Sequence, residues 1–448
     1  MPMNPDEFVR RRRQLMRMMG KGSVAILPAA LTRLRNRDVQ YPYRQDSDFY
    51  YLTGFAEPEA VAVLAPEREG GEFLLFCRER DAERETWDGT RTGPKNAVAG
   101  FGADAAYPIG SVEEMLPKII GSSERVFYTM GVQREFDQRL MGWVSRIRTR
   151  GGTGGHAPDG GTAAHTPDEF IALDHLLHDL RLFKSREEVS AMRRSARIAV
   201  QAHRRAMSIC RPGLFEYQIE AEFMHEFRAH GARPSYLPII GSGANSCILH
   251  YQANNRRMED GDLLLVDAGC EYDYYASDVT RTYPVNGRFT PEQRAIYEVV
   301  LEAHEAALAA VAPGNGWIQP HDAAIRSVTR GLKKIGLLEG SVPALIRSRA
   351  YQKFFMHRTG HWLGMDVHDV GEYKIADQWR VLEPGMALTV EPGIYIPPGT
   401  RGVPKRWWNI GVRIEDDVLV TRDGSEVLSR DLPRDPDVIE AMIGASAV

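Results

Sequence analysis

From Ser185 onward, Val189, Met192, Ala196, Ala199, His203 and Ala206 recur at three- and four-residue steps, the spacing of an amphipathic helix. Ser185 with Glu188 three residues later forms a capping box at its start. His203 lies on the apolar stripe, which predicts a packed core histidine. A second helix is predicted over Phe215 to His230, striped by Ile219, Phe223 and Phe227 and stopped by Gly231. A third opens at Thr290, with Pro291 at its first position and Gln293 closing another box, and ends before Pro313 and Gly314. Between the second and third helices the period changes. The stretch LLLVDAGCEYDYYASDVTRTY, Leu263 to Tyr283, sets two apolar or β-branched runs around a polar turn, which reads as a hairpin. Counting inward from Asp267 and Asp278 meets between Tyr272 and Asp273. That register places the two carboxylates opposite each other, with Leu265 and Thr280 on the same face.

The N-terminal part reads differently. A short basic helix over residues 5 to 20 precedes the strand Val24 to Pro28, and strand-sized runs such as EFLLFCR then alternate with helix-like segments such as Ser111 to Ile120. This is an α/β pattern. Tyr41, Tyr43, Phe49, Tyr50 and Tyr51 read as core and interface packing. Glycine, proline and small polar residues dominate Arg148 to Phe170, an exposed loop in which His156 and His165 are solvated. Beyond it, helices bracket an antiparallel hairpin, so the fold class is α+β rather than a Rossmann alternation. The expected division is an α/β domain over 1-175 and a second domain over 176-448.

Composition narrows the function classes. The chain has 448 residues, 43% hydrophobic and 26% charged, the balance of a soluble globular protein of about two domains. Acidic residues outnumber basic ones by 60 to 56. That gives no electrostatic footprint for nucleic acid or an anionic membrane. Cys77, Cys210, Cys247 and Cys270 are scattered without a CxxC, which argues against a disulfide framework and a structural zinc. The basic start lacks a signal-peptide core, and no stretch approaches a membrane span. The expected location is the cytoplasm.

Two carboxylates facing each other across a sheet repel, and burying an ionised one is costly. A pair of divalent metals between them, or water over an exposed hairpin, both answer that problem. In FFMHRTGHWLGMDVHDVG, His357 and His361 stand four apart, but the glutamate of a zincin HExxH is missing and Gly360 disfavours helix. LEPGMALTVEPGIYIP reads as a strand ending at Glu391. NIGVRIEDDVLVT reads as one alternating strand with Arg413, Glu415 and Asp417 on a face. Taken singly, Glu391 is a solvated strand end and Glu415 the partner of Arg413. Together Asp267, Asp278, His361, Glu391 and Glu415 offer four carboxylates and one imidazole, whose charge two divalent cations match. Oxygen-rich ligation with a single nitrogen and no thiolate suits manganese, or other hard or borderline divalent ions, better than a structural zinc.

The ordered motifs LLVDAG, SDVTRT, GHWLG, TVEPGIY and VRIED, with NRDVQYPYRQDSDFYYLTGF upstream, closely resemble those of the bacterial Xaa-Pro aminopeptidases (aminopeptidase P) of the pita-bread metallopeptidases. The likeness runs from about Ala25 to Ser429. It implies a curved antiparallel sheet with covering helices in two pseudo-symmetric halves behind a smaller N-terminal domain that shapes the pocket and the oligomer. By the same likeness, Asp278 and Glu415 bridge two metals, Asp267 completes one, and His361 with Glu391 the other. A shared hydroxide then cleaves the Xaa-Pro bond. Glu391 is expected to take the water proton and pass it to the proline nitrogen. The resemblance gives His368 the oxyanion and His250 the substrate, and places His357, Tyr395 and Arg413 around the proline. Trp87 resembles a residue lent by a neighbouring subunit in tetrameric relatives, with packing inside its own domain as the alternative, and a dimer or tetramer is expected. Two rivals stand beside this reading. One is a prolidase restricted to dipeptides. The other is a metal-free binding module on the same fold, which would be expected to lose ligands.

Overall fold

In the computed structural model the described residues are 3–151 and 166–444. The chain divides into two compact units, Met1–Leu180 and Arg181–Val448. In the first, a six-stranded mixed sheet runs in the order Ala105–Pro108, Phe73–Cys77, Val61–Leu64, Ser23–Pro28, Arg125–Phe127, Glu169–Ile171. Its core gathers Ile26, Val63, Phe76, Leu116 and Trp143. The basic helix Pro5–Met19 buries part of its charge: Arg11 lies over the Tyr51 ring at 4.0 Å and Arg12 donates to Leu52 O at 2.8 Å. Phe49, Tyr50 and Tyr51 are core residues, whereas Tyr41 is exposed. The helix Arg134–Gly151 runs past the point where the glycine-rich loop was expected to begin, and Glu169–Ile171 joins the sheet. Residues 152–165 of that loop, with His156 and His165, lie outside the described residues.

The second unit is antiparallel throughout. Three strands, Ile239–Ser242, Leu263–Asp267 and Thr280–Pro284, form one sheet. Ala387–Val390 pairs with Asp416–Thr421, and Gly393–Ile396 with Ile410–Arg413. The predicted helices form as Arg186–Ile209, Glu216–Ala229 and Pro291–Ala310, the first and third with the capping boxes at Ser185 and Thr290. A further helix, Gln319–Lys334, packs on the last of these. His203 is fully buried, as its place on the stripe implied. Its Nε2 lies 3.1 Å from Ala268 O and 3.0 Å from Val279 O, beside both hairpin acids.

Two expectations about strands need correction. Asp267 pairs with Thr280, not with Asp278, and Tyr272 with Tyr275. The hairpin turns on Asp273–Tyr274, both with positive φ (51° and 68°), as a two-residue turn of matching twist requires. The turn centre thus lies one residue later than the counting placed it, which moves every cross-strand partner by two. A shift of two preserves the face, so Asp278 lands diagonally across from Asp267 on the same side. The ladder breaks between them at Gly269, where an added Cβ would lie 1.8 Å from Ser277 O.

The stretch Asn409 to Thr421 is not one strand either. It switches partners at Ile414 and Glu415, just as the strand facing it switches at Glu391 and Pro392. Asp278, Glu391 and Glu415 thus all stand where regular pairing is interrupted. A side chain can be re-aimed there without distorting a ladder.

Candidate metal centre

Each expected ligand reaches the same place from a different element. Asp267 ends its strand, and Asp278 stands two residues before the strand Thr280–Pro284, its backbone N–H donating to Asp417 Oδ1 at 3.0 Å. Glu415 donates its N–H to Thr280 O and accepts from Thr280 Oγ1 at 2.6 Å. His361 is held on non-helical backbone that bridges the strand Ala387–Val390 at Trp362. Gly360 makes this approach possible, since a Cβ there would lie 2.1 Å from Thr389 O. His361 Nδ1 lies 2.9 Å from Trp362 O, and a carbonyl only accepts, so the proton belongs on Nδ1 and Nε2 points inward. Nε2 is 3.2 Å from Asp278 Oδ2 and 3.8 Å from Glu391 Oε1. Donor atoms of Asp278, His361 and Glu415 all lie within 4.8 Å of one another.

The electrostatics of this cluster call for positive charge. Burial pushes the Glu415 carboxyl well above its usual range, and the charges of Asp278, Glu391 and Asp267 add to the effect. Burial likewise carries Glu391 up to about 7 against the pull of His361 and Arg413, and raises Asp267 against Arg413. Burial also acts on Asp278, but its contact with His361 wins and holds it below the ordinary value. Tyr236 OH lies 2.5 Å from Asp267 Oδ1 and 2.6 Å from Asp278 Oδ1. One hydroxyl proton cannot serve two carboxylates. Four acids and one inward-facing imidazole therefore fit divalent cations, with hard oxygen donors in the majority.

Around the acids stands a cavity of about 680 Å³, lined among others by Leu249, His250, His357, His368, Trp317, Tyr373 and Trp379. The His368 ring is 4.2 Å from that of His361. His357 Nδ1 faces Arg358 O at 2.7 Å, so its Nε2 accepts from Tyr395 OH at 2.9 Å. Arg413 Nη1 donates to Tyr395 OH, Nη2 to Asp267 Oδ2 at 2.5 Å, and Nε to Thr280 Oγ1. The guanidinium expected beside the substrate is thus engaged with a proposed ligand, and Tyr395 is fully buried behind His357. Burial, with Arg413 nearby, lowers His357 to about 3. Trp87 belongs to the first unit, on the short helix Ala82–Asp88, and is 83% exposed, so it does not pack within its own domain.

Sequence reasoning missed Tyr236 altogether and knew Thr280 and Asp417 only as members of a face. Nothing in a local pattern marks a tyrosine that meets acids 31 and 42 residues away. A buried carboxylate cage in an α+β unit, opening on a cavity of peptide-binding size, defines a metal-dependent hydrolase.

Comparison with known proteins narrows that class. Residues 190–422 match the model of metallopeptidase family M24, and residues 8–128 match the aminopeptidase P N-terminal domain. The chain is 44% identical over 443 residues to the Xaa-Pro aminopeptidase of Escherichia coli, covering 98% of each. Among solved structures it matches aminopeptidase PepP of Pseudomonas aeruginosa with TM-score 0.96 and 56% identity, over 100% of this chain and 99% of that one. It also matches aminopeptidase P from E. coli with the inhibitor Pro-Leu, with TM-score 0.94 and 43% identity over the whole of both chains. The chain belongs to the aminopeptidase P family of M24 metallopeptidases.

Proposed function

We propose that this protein is a metal-dependent Xaa-Pro aminopeptidase, removing the first residue from peptides whose second residue is proline. The observation that carries the reading is the convergence of Asp267, Asp278, His361, Glu391 and Glu415 at one cavity in a chain 44% identical to an enzyme of that name. In this proposal Asp267, Asp278, His361, Glu391 and Glu415 would hold the metal, with Asp278, His361 and Glu415 offering donor atoms close enough to share it. Two divalent cations held there, manganese first among the candidates, would supply an acidified water and a polarised scissile carbonyl.

The chain's own groups do the rest. Glu391 takes the water proton on its carboxylate and delivers it to the proline nitrogen, which has no N–H of its own and must gain one to leave. His368, on the cavity wall beside His361, donates to the oxygen that gains charge. His250, also on the cavity wall, holds the substrate. His357 meets the proline. Tyr395 acts behind it, fixing the His357 tautomer, and Arg413, itself on the cavity wall, orients Asp267 through the hydrogen bonds already described. Trp317, Tyr373 and Trp379 give the cavity an aromatic wall suited to apolar side chains.

The exposed Trp87 supports an assembly in which a neighbouring subunit uses it, a dimer or tetramer measurable by analytical ultracentrifugation. A cytoplasmic location is supported by four free, buried cysteines. Among the described residues no helix is long and apolar enough to cross a membrane. The test of function is hydrolysis of an Xaa-Pro-Yaa tripeptide and an Xaa-Pro dipeptide by the manganese-loaded protein, with the products identified. Release of free Xaa from the tripeptide is expected. Strong preference for the dipeptide would make it a prolidase, and inactivity on both would leave a binding module.

A further inference from the structure

The segment that brings His250 to the cavity has little regular structure. After the strand Ile239–Ser242 it makes one 3-10 turn, Gly243–Cys247, then runs irregularly to Arg257, which bridges to Phe215. Backbone groups without a ladder need side-chain partners. Here two backbone N–H groups and three side chains converge on Glu216, the fully buried first residue of the helix Glu216–Ala229. Its Oε1 accepts from Ser242 N at 2.7 Å, Ser242 Oγ at 2.7 Å and Asn245 Nδ2 at 3.1 Å. Its Oε2 accepts from Tyr251 OH at 2.8 Å and Arg256 N at 2.9 Å. These donors come from the start, the middle and the end of the loop, and Tyr251 directly follows His250. The Arg256 guanidinium turns instead to Asp262 and Ser242 Oγ. A buried carboxylate with this many charge-assisted bonds, at a helix N-terminus that favours its charge, is a rigid anchor. One turn along the helix, Glu220 accepts from Asn254 Nδ2 at 2.9 Å, extending the clamp along the same face.

We propose that Glu216 is a positioning residue for peptide cleavage, clamping the loop 243–256 so that His250 meets the substrate. The inference rests on the functional reading above, because His250 has no substrate to hold otherwise. The test is a double-mutant cycle on the manganese-loaded full chain with an Xaa-Pro-Yaa tripeptide, using Glu216→Gln, His250→Ala and both together. Gln keeps the volume but turns an NH2 toward donors on one side, so part of the clamp must release. Glu216→Gln is expected to lower kcat/KM about 10- to 100-fold, the scale of small misplacements, with manganese content unchanged. In the His250→Ala background its effect should shrink below about twofold, because coupled residues are non-additive. Hydrogen exchange should quicken in 243–256 and stay unchanged in Leu263–Asp267. Equal losses in both backgrounds, an unchanged kcat/KM for Glu216→Gln, or a wild-type rate for His250→Ala would each overturn the proposal. If Glu216→Gln does not fold, Tyr251→Phe, which removes one donor, takes its place in the same cycle under the same criterion. A wild-type protein that cleaves no Xaa-Pro peptide would remove the functional reading and this inference with it, whereas an additive cycle in an active enzyme removes the inference alone.

Discussion

Glu415→Gln keeps the size of a buried side chain and an oxygen for Thr280 Oγ1 to bond, while deleting one negative charge. In the metal-free protein that charge is a burden. At 4.8 Å, the separation that bounds the donor atoms of Asp278, His361 and Glu415, two like charges repel by about 3.5 kcal/mol at an effective dielectric of about 20. Because 4.8 Å is the largest separation, this is the least such a pair would repel if both were ionised, and His361 Nε2 at 3.2 Å from Asp278 offsets part of it. The stripped variant should therefore unfold at a higher urea concentration than stripped wild type, with a gain of about 1–3 kcal/mol. Manganese should remove most of that advantage or reverse it. A ligand at a hundred times its Kd stabilises by about 2.7 kcal/mol, and a variant whose affinity has fallen a hundredfold keeps only about 0.4 of that. The assay is urea unfolding of the full chain followed by tryptophan fluorescence, with chelator and with manganese, beside a titration of bound metal. If the variant is the weaker protein in both conditions, Glu415 is an ordinary structural acceptor and the charge argument fails.

Asp278→Ala should abolish turnover and reduce manganese to less than the wild-type stoichiometry at both ions by metal analysis. Retained activity at full occupancy would contradict its bridging role. Lys184→Met removes the ammonium that stands 2.9 Å from Asp369 Oδ2, both groups being buried. It leaves Asp369 to Arg181 alone, and should cost about 3 kcal/mol, the lower end for a broken buried pair. It should also slow catalysis, because Asp369 adjoins His368. Burial works against the Asp369 charge, but Lys184 and Arg181 hold its pKa below the ordinary carboxylate value. A depressed folded pKa gives stability that is complete above the unfolded value and is lost as pH falls through the folded one. The gap between wild type and Lys184→Met in urea midpoint should thus be full at neutral pH and narrow in acid; a gap independent of pH would refute the ion-pair account.

The sequence by itself determined the elements and most of the chemistry. Capping boxes at Ser185 and Thr290 mark helix starts through bonds that span three residues, and the apolar stripe foretold the buried His203. Four acids and one histidine were legible as candidate ligands only when taken together, since their types suit cations, while the other site histidines were placed by resemblance to a family. The tertiary structure decided what depends on distant partners. The hairpin turns at Asp273–Tyr274 because both residues adopt positive φ there, a backbone state that Asp tolerates but that Tyr gives no sign of. The strand through Glu415 breaks because each half finds a different neighbour. Arg413 faces Asp267 across 146 positions, Tyr236 spans two acids, and Glu216 gathers a loop that starts 26 residues beyond it. Local periodicity carries information over one or two turns of chain, whereas these contacts exist only once burial has chosen which faces meet.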